Sequence, residues 1–136
     1  MSQYDSLFQS KMDSASYAKL MAIGNEQVNE FVAYAINLCE PENVFVGDDS
    51  DSDAAFCRVR AIDGLEERQL ITNGHTVHWD GYFDQARKKE VTKYLVPEGE
   101  YLDSNLNQMP RDEGVKELEE LQGGAYKGRL MYVRFF

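Results

Sequence analysis

Arg87, Lys88 and Lys89 stand in succession in a chain of formal net charge −10. That local excess of cations is the first feature able to do chemistry. A guanidinium offers a planar fork of N–H donors that fits a carboxylate through two parallel hydrogen bonds, so the run reads as an anion site. On composition alone it reads more readily as a solvated basic loop paired with Glu90 or Asp84. His75 and His78 are three residues apart. On a helix that spacing would converge on a metal, whereas on a strand it sends the side chains to opposite faces. Since the surrounding residues are β-prone, a shared zinc is disfavoured. The stretch Asp48-Asp49-Ser50-Asp51-Ser52-Asp53 has the ligand types of a calcium loop but lacks its glycine and its bidentate glutamate at the right offset. It reads instead as a loop and helix cap. Cys39 and Cys57 fit no C-x-x-C or zinc spacing and read as two free thiols.

Other chemistries are absent at the level of motif. No G-x-x-x-x-G-K-[ST] loop cradles phosphates, and G-x-G-x-x-G, H-E-x-x-H and G-x-S-x-G do not occur. The acidic charge opposes binding to nucleic acid or to anionic membranes. The first residues have neither a basic n-region nor an apolar h-region, and no apolar run reaches the ~20 residues of a membrane span. The chain is therefore expected to be cytoplasmic. Apolar residues make up 43% of the 136 positions and aromatics 12%, enough for the core of one domain.

The elements that must position these residues follow from periodicity. Residues 1–15 are polar and read as a loose arm or one weak helix. Asn25 is an N-cap, and Val28, Phe31, Val32, Ala35 and Ile36 form the apolar stripe of a helix that stops before Pro41. Val44-Phe45-Val46 is a short strand closed by Gly47. A second helix carries Ala55, Phe56, Val59 and Ile62 and ends at Gly64. Asn73-Gly74 predicts a hairpin between Leu70-Ile71-Thr72 and Thr76–Trp79, with Trp79 a core or interface aromatic. Lys93–Val96 is a strand ended by the turn Pro97-Glu98-Gly99. Val115, Leu118 and Leu121 line a last helix, stopped by Gly123-Gly124, and Arg129–Phe136 is strongly strand-like. This interleaving predicts an α/β fold with a mixed β-sheet and flanking helices.

Two segments read together resemble the GTP-dependent phosphoenolpyruvate carboxykinases of archaeal type. Gly128–Phe136, G-R-L-M-Y-V-R-F-F, resembles the G-R-x-M-Y-V-x-x-F segment that closes the N-terminal domain of that family. Asn73–Arg87, N-G-H-T-V-H-W-D-G-Y-F-D-Q-A-R, continuing to Lys93–Gly99, is similar to the matching region of its archaeal-type members. The resemblance covers residues 70–136, and the first 40 residues carry none of it. It implies a substrate-side domain spanning residues 1–136, cut before a catalytic C-terminal domain.

The resemblance also implies a reaction and a residue. Oxaloacetate and GTP would give phosphoenolpyruvate, carbon dioxide and GDP, a step of gluconeogenesis. Family members carry a carboxylate-binding arginine as A-R-T or G-R-S, a few residues before a K-Y-I-V strand. Ala86-Arg87 ahead of Lys93-Tyr94-Leu95-Val96 matches that arrangement, which makes Arg87 the residue expected to bind oxaloacetate or phosphoenolpyruvate. Lys88-Lys89 stand where the family has Ser or Thr and then Pro, and Lys88 is the alternative if the register shifts by one. GTP and a divalent cation, Mn2+ or Mg2+, would be bound by the C-terminal domain. No catalytic, cofactor-binding or metal-binding residue is then expected on this chain, which would be inactive alone. It would expose an apolar face toward the missing domain and could self-associate through it. Three other readings stand beside this one. They are a non-enzymatic α/β interaction domain using residues 48–53 or the terminal strand, a piece of an ATP-dependent carboxykinase, and a stand-alone anion-binding module.

Overall fold

The computed structural model describes residues 3–81, 88 and 91–135. The fold is mixed α/β, as the periodicity implies. Among the described residues there are five helices, α1 (Asp5–Lys11), α2 (Ser14–Ala22), α3 (Glu26–Cys39), α4 (Asp51–Asp63) and α5 (Arg111–Gln122), and six short strands interleaved with them. The strands are β1 (Asn43–Gly47), β2 (Arg68–Gln69), β3 (Thr76–Val77), β4 (Tyr94–Val96), β5 (Gln108–Pro110) and β6 (Leu130–Arg134). Among the described residues they pair as three two-stranded sheets, β1 with β6, β2 with β3 and β4 with β5, rather than as one mixed sheet. No helix among the described residues is long and apolar enough to cross a membrane.

The chain divides into two compact units. The first comprises Met1–Asp48, Leu95–Glu100 and Met109–Phe136. Its core joins Phe8, Met12, Leu20, Val32, Ala33, Ile36, Cys39, Val44, Val46 and Met131. The described residues 3–15 are therefore not a loose arm. Asp13 caps α2 by accepting the Ser16 N–H at 2.7 Å, and Phe8 and Leu20 are fully buried. Ser16 Oγ accepts the Val46 N–H at 3.1 Å in the interior, and Met12 bridges Val44 in parallel. The two small helices thus occupy the outer edge of β1, satisfying a backbone donor that burial would otherwise strand.

Asn25 caps α3 as expected, accepting the Gln27 N–H at 3.0 Å. Its buried face differs from the predicted stripe. Asn29, Val32, Ala33, Ile36 and Cys39 point inward, while Phe31 is 67% exposed. Apolar residues surround most of this helix, so periodicity left its orientation open. The segment after α5 decides the end of α3, where four carbonyls lack helical partners. Gly124 and Tyr126 donate their N–H groups to the Leu38 and Cys39 carbonyls at 2.8 and 2.9 Å.

α5 turns its predicted apolar face outward, with Leu118 and Leu121 exposed and Gly114 buried. A Cβ at Gly114 would fall 2.2 Å from Leu95 Cδ2, so the absent side chain is what lets Leu95 lie against the helix. The Tyr34 hydroxyl of α3 donates to Glu119 of α5, and this bond fixes which side of α5 meets α3. Gly128, at φ +71, turns the chain into β6, a left-handed conformation that costs a residue with a side chain about 1–2 kcal/mol. β6 then runs parallel to β1 from Asn43↔Leu130 to Gly47↔Arg134. Phe45 and Tyr132 stack edge-on across the pair at 5.9 Å.

The second unit comprises Asp49–Tyr94 and Tyr101–Gln108. Ser50 caps α4, accepting the Asp53 N–H at 3.3 Å, which confirms the acidic stretch as loop and cap. Gly64 closes the helix as expected, but the left-handed residue is Leu65, at φ 60. Leu65 N–H reaches the Ile62 carbonyl at 3.0 Å and Glu66 N–H the Ala61 carbonyl at 2.9 Å, the paired bonds of a Schellman ending. The hairpin is present with its turn at Asn73-Gly74. Gly74 is at φ +77, and the His75 N–H donates to the Thr72 carbonyl at 3.1 Å. Its ladder lies further from the turn than predicted, pairing Gln69↔Thr76 and Arg68↔Val77. Leu70-Ile71-Thr72 therefore belong to the loop.

Candidate functional site

Arg87 and Lys89 lie outside the described residues, as do Asp84 and Glu90. The basic run is represented by Lys88, which is exposed. Its carbonyl accepts the Val91 and Thr92 N–H groups at 3.2 and 3.0 Å and the Thr92 hydroxyl at 2.9 Å. Three donors on one carbonyl make a tight turn. The chain then enters β4, where the Tyr94 N–H donates to the Asn107 carbonyl at 2.8 Å. The strand expected after the basic run is present as β4.

On the other side the chain arrives through β3, and β3 is tied to the end of α4. Arg58 on α4 donates to Thr76 Oγ1 at 2.7 Å, and its Nε lies 3.4 Å from Glu67 Oε2. His78 Nδ1 lies 2.6 Å from the Glu66 carbonyl oxygen. A carbonyl can only accept, so Nδ1 carries the proton. Nε2 sits 3.4 Å from Asp80 Oδ1. Both ring nitrogens therefore face acceptors, an arrangement that favours the imidazolium. The Glu66 carbonyl foremost, then the negative charge of Asp80, holds the His78 pKa above its ordinary value. The negative charge of Glu66 acts in the same direction.

That shift makes a testable statement about stability. Because the folded value lies above the unfolded 6.5, the His78 contribution is fully present below 6.5 and fades as pH rises through the folded value. Comparing His78→Ala with the parent chain by denaturant unfolding should show the largest difference on the acidic side, shrinking as pH rises. A difference that grew with pH would contradict the arrangement.

The remaining sequence candidates are separated rather than gathered. His75 is exposed, and the ring of His78 is engaged with Glu66 and Asp80, so the two do not form a ligand pair. Among the described residues no three His, Cys, Asp or Glu side chains are grouped to hold a metal ion. Asp48 pairs with Lys19 at 3.1 Å, while Ser50 and Asp53 serve the cap of α4. Cys39 is buried and Cys57 half-buried, and neither is in a disulfide. Trp79 is 79% exposed and so is not a core residue. The ties from Arg58 to Thr76 and from His78 to Glu66 were not legible beforehand, since they join residues 18 and 12 positions apart without any motif.

The chain matches the family model described as phosphoenolpyruvate carboxykinase N-terminal domain over residues 30–136. It is 42% identical over 126 residues to "Phosphoenolpyruvate carboxykinase [GTP]" of Thermococcus sibiricus, covering 93% of this chain and 20% of that protein. It is 44% identical to the protein of the same name in Thermococcus kodakarensis, over 92% of this chain and 20% of the relative. To that of Pyrococcus abyssi it is 45% identical, over 88% and 19%. The chain thus spans about a fifth of the length of the curated relatives it matches. The similarity also reaches further toward the N-terminus than residues 70–136, where the recognisable motifs stand, and takes in most of α3 and all of β1.

Proposed function

Because the chain belongs to the family of phosphoenolpyruvate carboxykinase N-terminal domains, we propose that it forms the substrate-side part of a GTP-dependent enzyme that converts oxaloacetate to phosphoenolpyruvate. The observation that carries this is the match over residues 30–136, together with relatives of that name at 42–45% identity. In the proposed reaction the carbon–carbon bond to the departing carboxylate breaks, releasing carbon dioxide and leaving its electron pair as an enolate. The enolate oxygen attacks the γ-phosphorus of GTP, and the bond from that phosphorus to GDP breaks. Charge on enolate and phosphates calls for divalent cations.

The described residues of this chain group no set of ligands for such a cation, and the sequence has no phosphate-cradling loop. GTP and the Mn2+ or Mg2+ ion would be held by polypeptide beyond this chain, in the C-terminal domain. This chain would contribute position. Arg87 would hold a carboxylate of oxaloacetate through its donor fork, with Lys88 next in line. What supports this is that the described segments flanking the run are held in place, the hairpin before it by Arg58 of α4 and by the His78–Glu66 contact, and the chain after it by the Lys88 carbonyl and β4. Acting alone, the domain would be inactive, and the full enzyme would work in gluconeogenesis in the cytoplasm.

The direct test is activity of the polypeptide read from the gene to its stop codon, purified and supplied with Mn2+. Phosphoenolpyruvate formed from oxaloacetate with GTP, and much less with ATP, is the expected result. ATP preference would move the protein to the other nucleotide class. No turnover with either nucleotide would remove the enzymatic reading altogether.

A further inference from the structure

The run His78-Trp79-Asp80 leads from β3 toward the basic loop, and all three residues are exposed. Trp79, its largest side chain, is 79% exposed. Burial therefore does not set the course of this run, and polar contacts must. Two of them meet on one imidazole. His78 Nδ1–H donates to the Glu66 carbonyl at 2.6 Å, just past the end of α4, and Nε2 lies 3.4 Å from Asp80 Oδ1. The first bond survives loss of the ring's charge, since a neutral imidazole keeps one N–H. The second does not. A neutral ring turns the Nε2 lone pair toward a carboxylate, and attraction becomes repulsion. Glu66 and Asp80 are the charged groups that act on the ring. Arg58, from α4, is turned to Thr76 and Glu67, and Arg68 lies opposite Val77 in the β2–β3 ladder. Beyond the loop, the Lys88 carbonyl is held by the Val91 and Thr92 N–H groups. Residues 81–87 thus join Asp80 to an anchored Lys88, and releasing Asp80 loosens one end of the segment that carries Arg87.

We propose that His78 is a positioning residue for the substrate loop. Charged, it clasps Glu66 and Asp80 together and fixes the approach to Arg87; uncharged, it lets go of Asp80 and the approach loosens. This role rests on the reading above, in which Arg87 or Lys88 holds oxaloacetate. A loosened loop has more conformations to lose when substrate binds, so affinity for oxaloacetate is highest with the imidazolium. It declines as pH rises through the folded pKa of His78, which the Glu66 carbonyl and then Asp80 hold above the ordinary value.

The test is a pH series of KM for oxaloacetate on the polypeptide read from the gene to its stop codon, with KM for GTP as the reference. The parent KM should rise about two- to fivefold across the folded His78 value, the size an exposed ion pair allows, with kcat little changed. His78→Asn keeps a donor for the Glu66 carbonyl but takes up no proton, so its KM should stay at the higher level at every pH. Asp80→Asn places an amide there that accepts from the charged ring and donates to the neutral one, so its KM should stay at the lower level throughout. Trp79, the single tryptophan of the chain, reads the clasp without catalysis. In the 136-residue chain its emission should step with pH, and the step should vanish in His78→Asn. The same pH dependence of KM in the parent and in His78→Asn would overturn the proposal. So would a change confined to kcat, and so would an emission step that persists in His78→Asn. The expected emission step in a protein that makes no phosphoenolpyruvate would overturn the carboxykinase reading, and the positioning role with it, while leaving the charged clasp standing.

Discussion

Replacing Arg87 by alanine in the full-length enzyme is expected to lower kcat/KM for oxaloacetate about a hundredfold or more while leaving KM for GTP nearly unchanged. The size follows from the contact proposed for it. A guanidinium fork makes two charge-assisted hydrogen bonds to a carboxylate, each contributing about 1.5–3 kcal/mol when its partner is charged. At about 1.4 kcal/mol per decade of rate, losing both costs at least two decades, and the misplacement that follows adds to it. Arg87→Lys keeps the charge but not the fork, so it should fall between the two. Lys88→Ala is the control that places the register. If it produces the loss and Arg87→Ala does not, the substrate cation is Lys88. If neither changes oxaloacetate kinetics, this loop does not hold the substrate. GTP is the internal reference, because a general loss of folding would lower the use of both substrates together.

The legibility of that loop in the sequence was uneven, for physical reasons. The cation run stood out because it opposes the charge of everything around it. The strand behind it was announced by Tyr94-Leu95-Val96 and the turn at Gly99, and the Glu100 N–H does donate to the Pro97 carbonyl at 3.1 Å. The stem ahead of it was read less well. Asn73-Gly74 located the turn correctly because glycine there must take a positive φ. Register is set by how many residues the loop absorbs, and the β-prone Leu70-Ile71-Thr72 read as a strand although only Leu70 keeps a cross-strand bond, its N–H to the His75 carbonyl at 2.9 Å. The ties that hold the stem, Arg58 to Thr76 and His78 to Glu66, are tertiary, and no local pattern encodes them.

The same division runs through the fold. Caps were legible at Asn25 and at the acidic stretch before α4, because a cap is a bond between residues two or three apart. Faces were not. α3 carries apolar residues on most of its circumference, and its orientation was decided by partners distant in sequence, Ser16-bearing α2 and β1 among the core elements and Glu119 on α5. α5 was misjudged in the same way. Its leucines gave the stronger periodic signal, yet the contact was made by Gly114, which has no side chain to register in any periodicity, and by a glutamate. The N-terminal helices were hidden by brevity. Tyr4, Phe8 and Met12 do recur every four residues, and Asp13 stands three before Ser16, but two helices of 7 and 9 residues offer too few turns for a stripe to emerge from polar surroundings.

Those hidden helices carry the second large effect. Phe8→Ala is expected to destabilise the chain by about 3–5 kcal/mol, the range for removing a buried aromatic ring. Phe8 is 0% exposed and belongs to the same cluster as Leu20, Ile36 and Val46, with Tyr4 beside it at 6.0 Å between ring centres. A domain's whole stability is about 5–15 kcal/mol, so the loss should show as a large fall in the denaturant midpoint with little change in slope. Phe31→Ala is the matched control, the same chemistry at a position 67% exposed, and should stay within about 0.5 kcal/mol. The pair separates two pictures of this molecule. If residues 1–15 were a loose arm and α3 packed through Phe31, the two outcomes would be exchanged. If the first two helices close the edge of β1, as the Ser16–Val46 bond and the Met12–Val44 bridge require, then Phe8 is part of the core, and cutting the chain after α2 should expose that edge and destabilise β1 and β6 together.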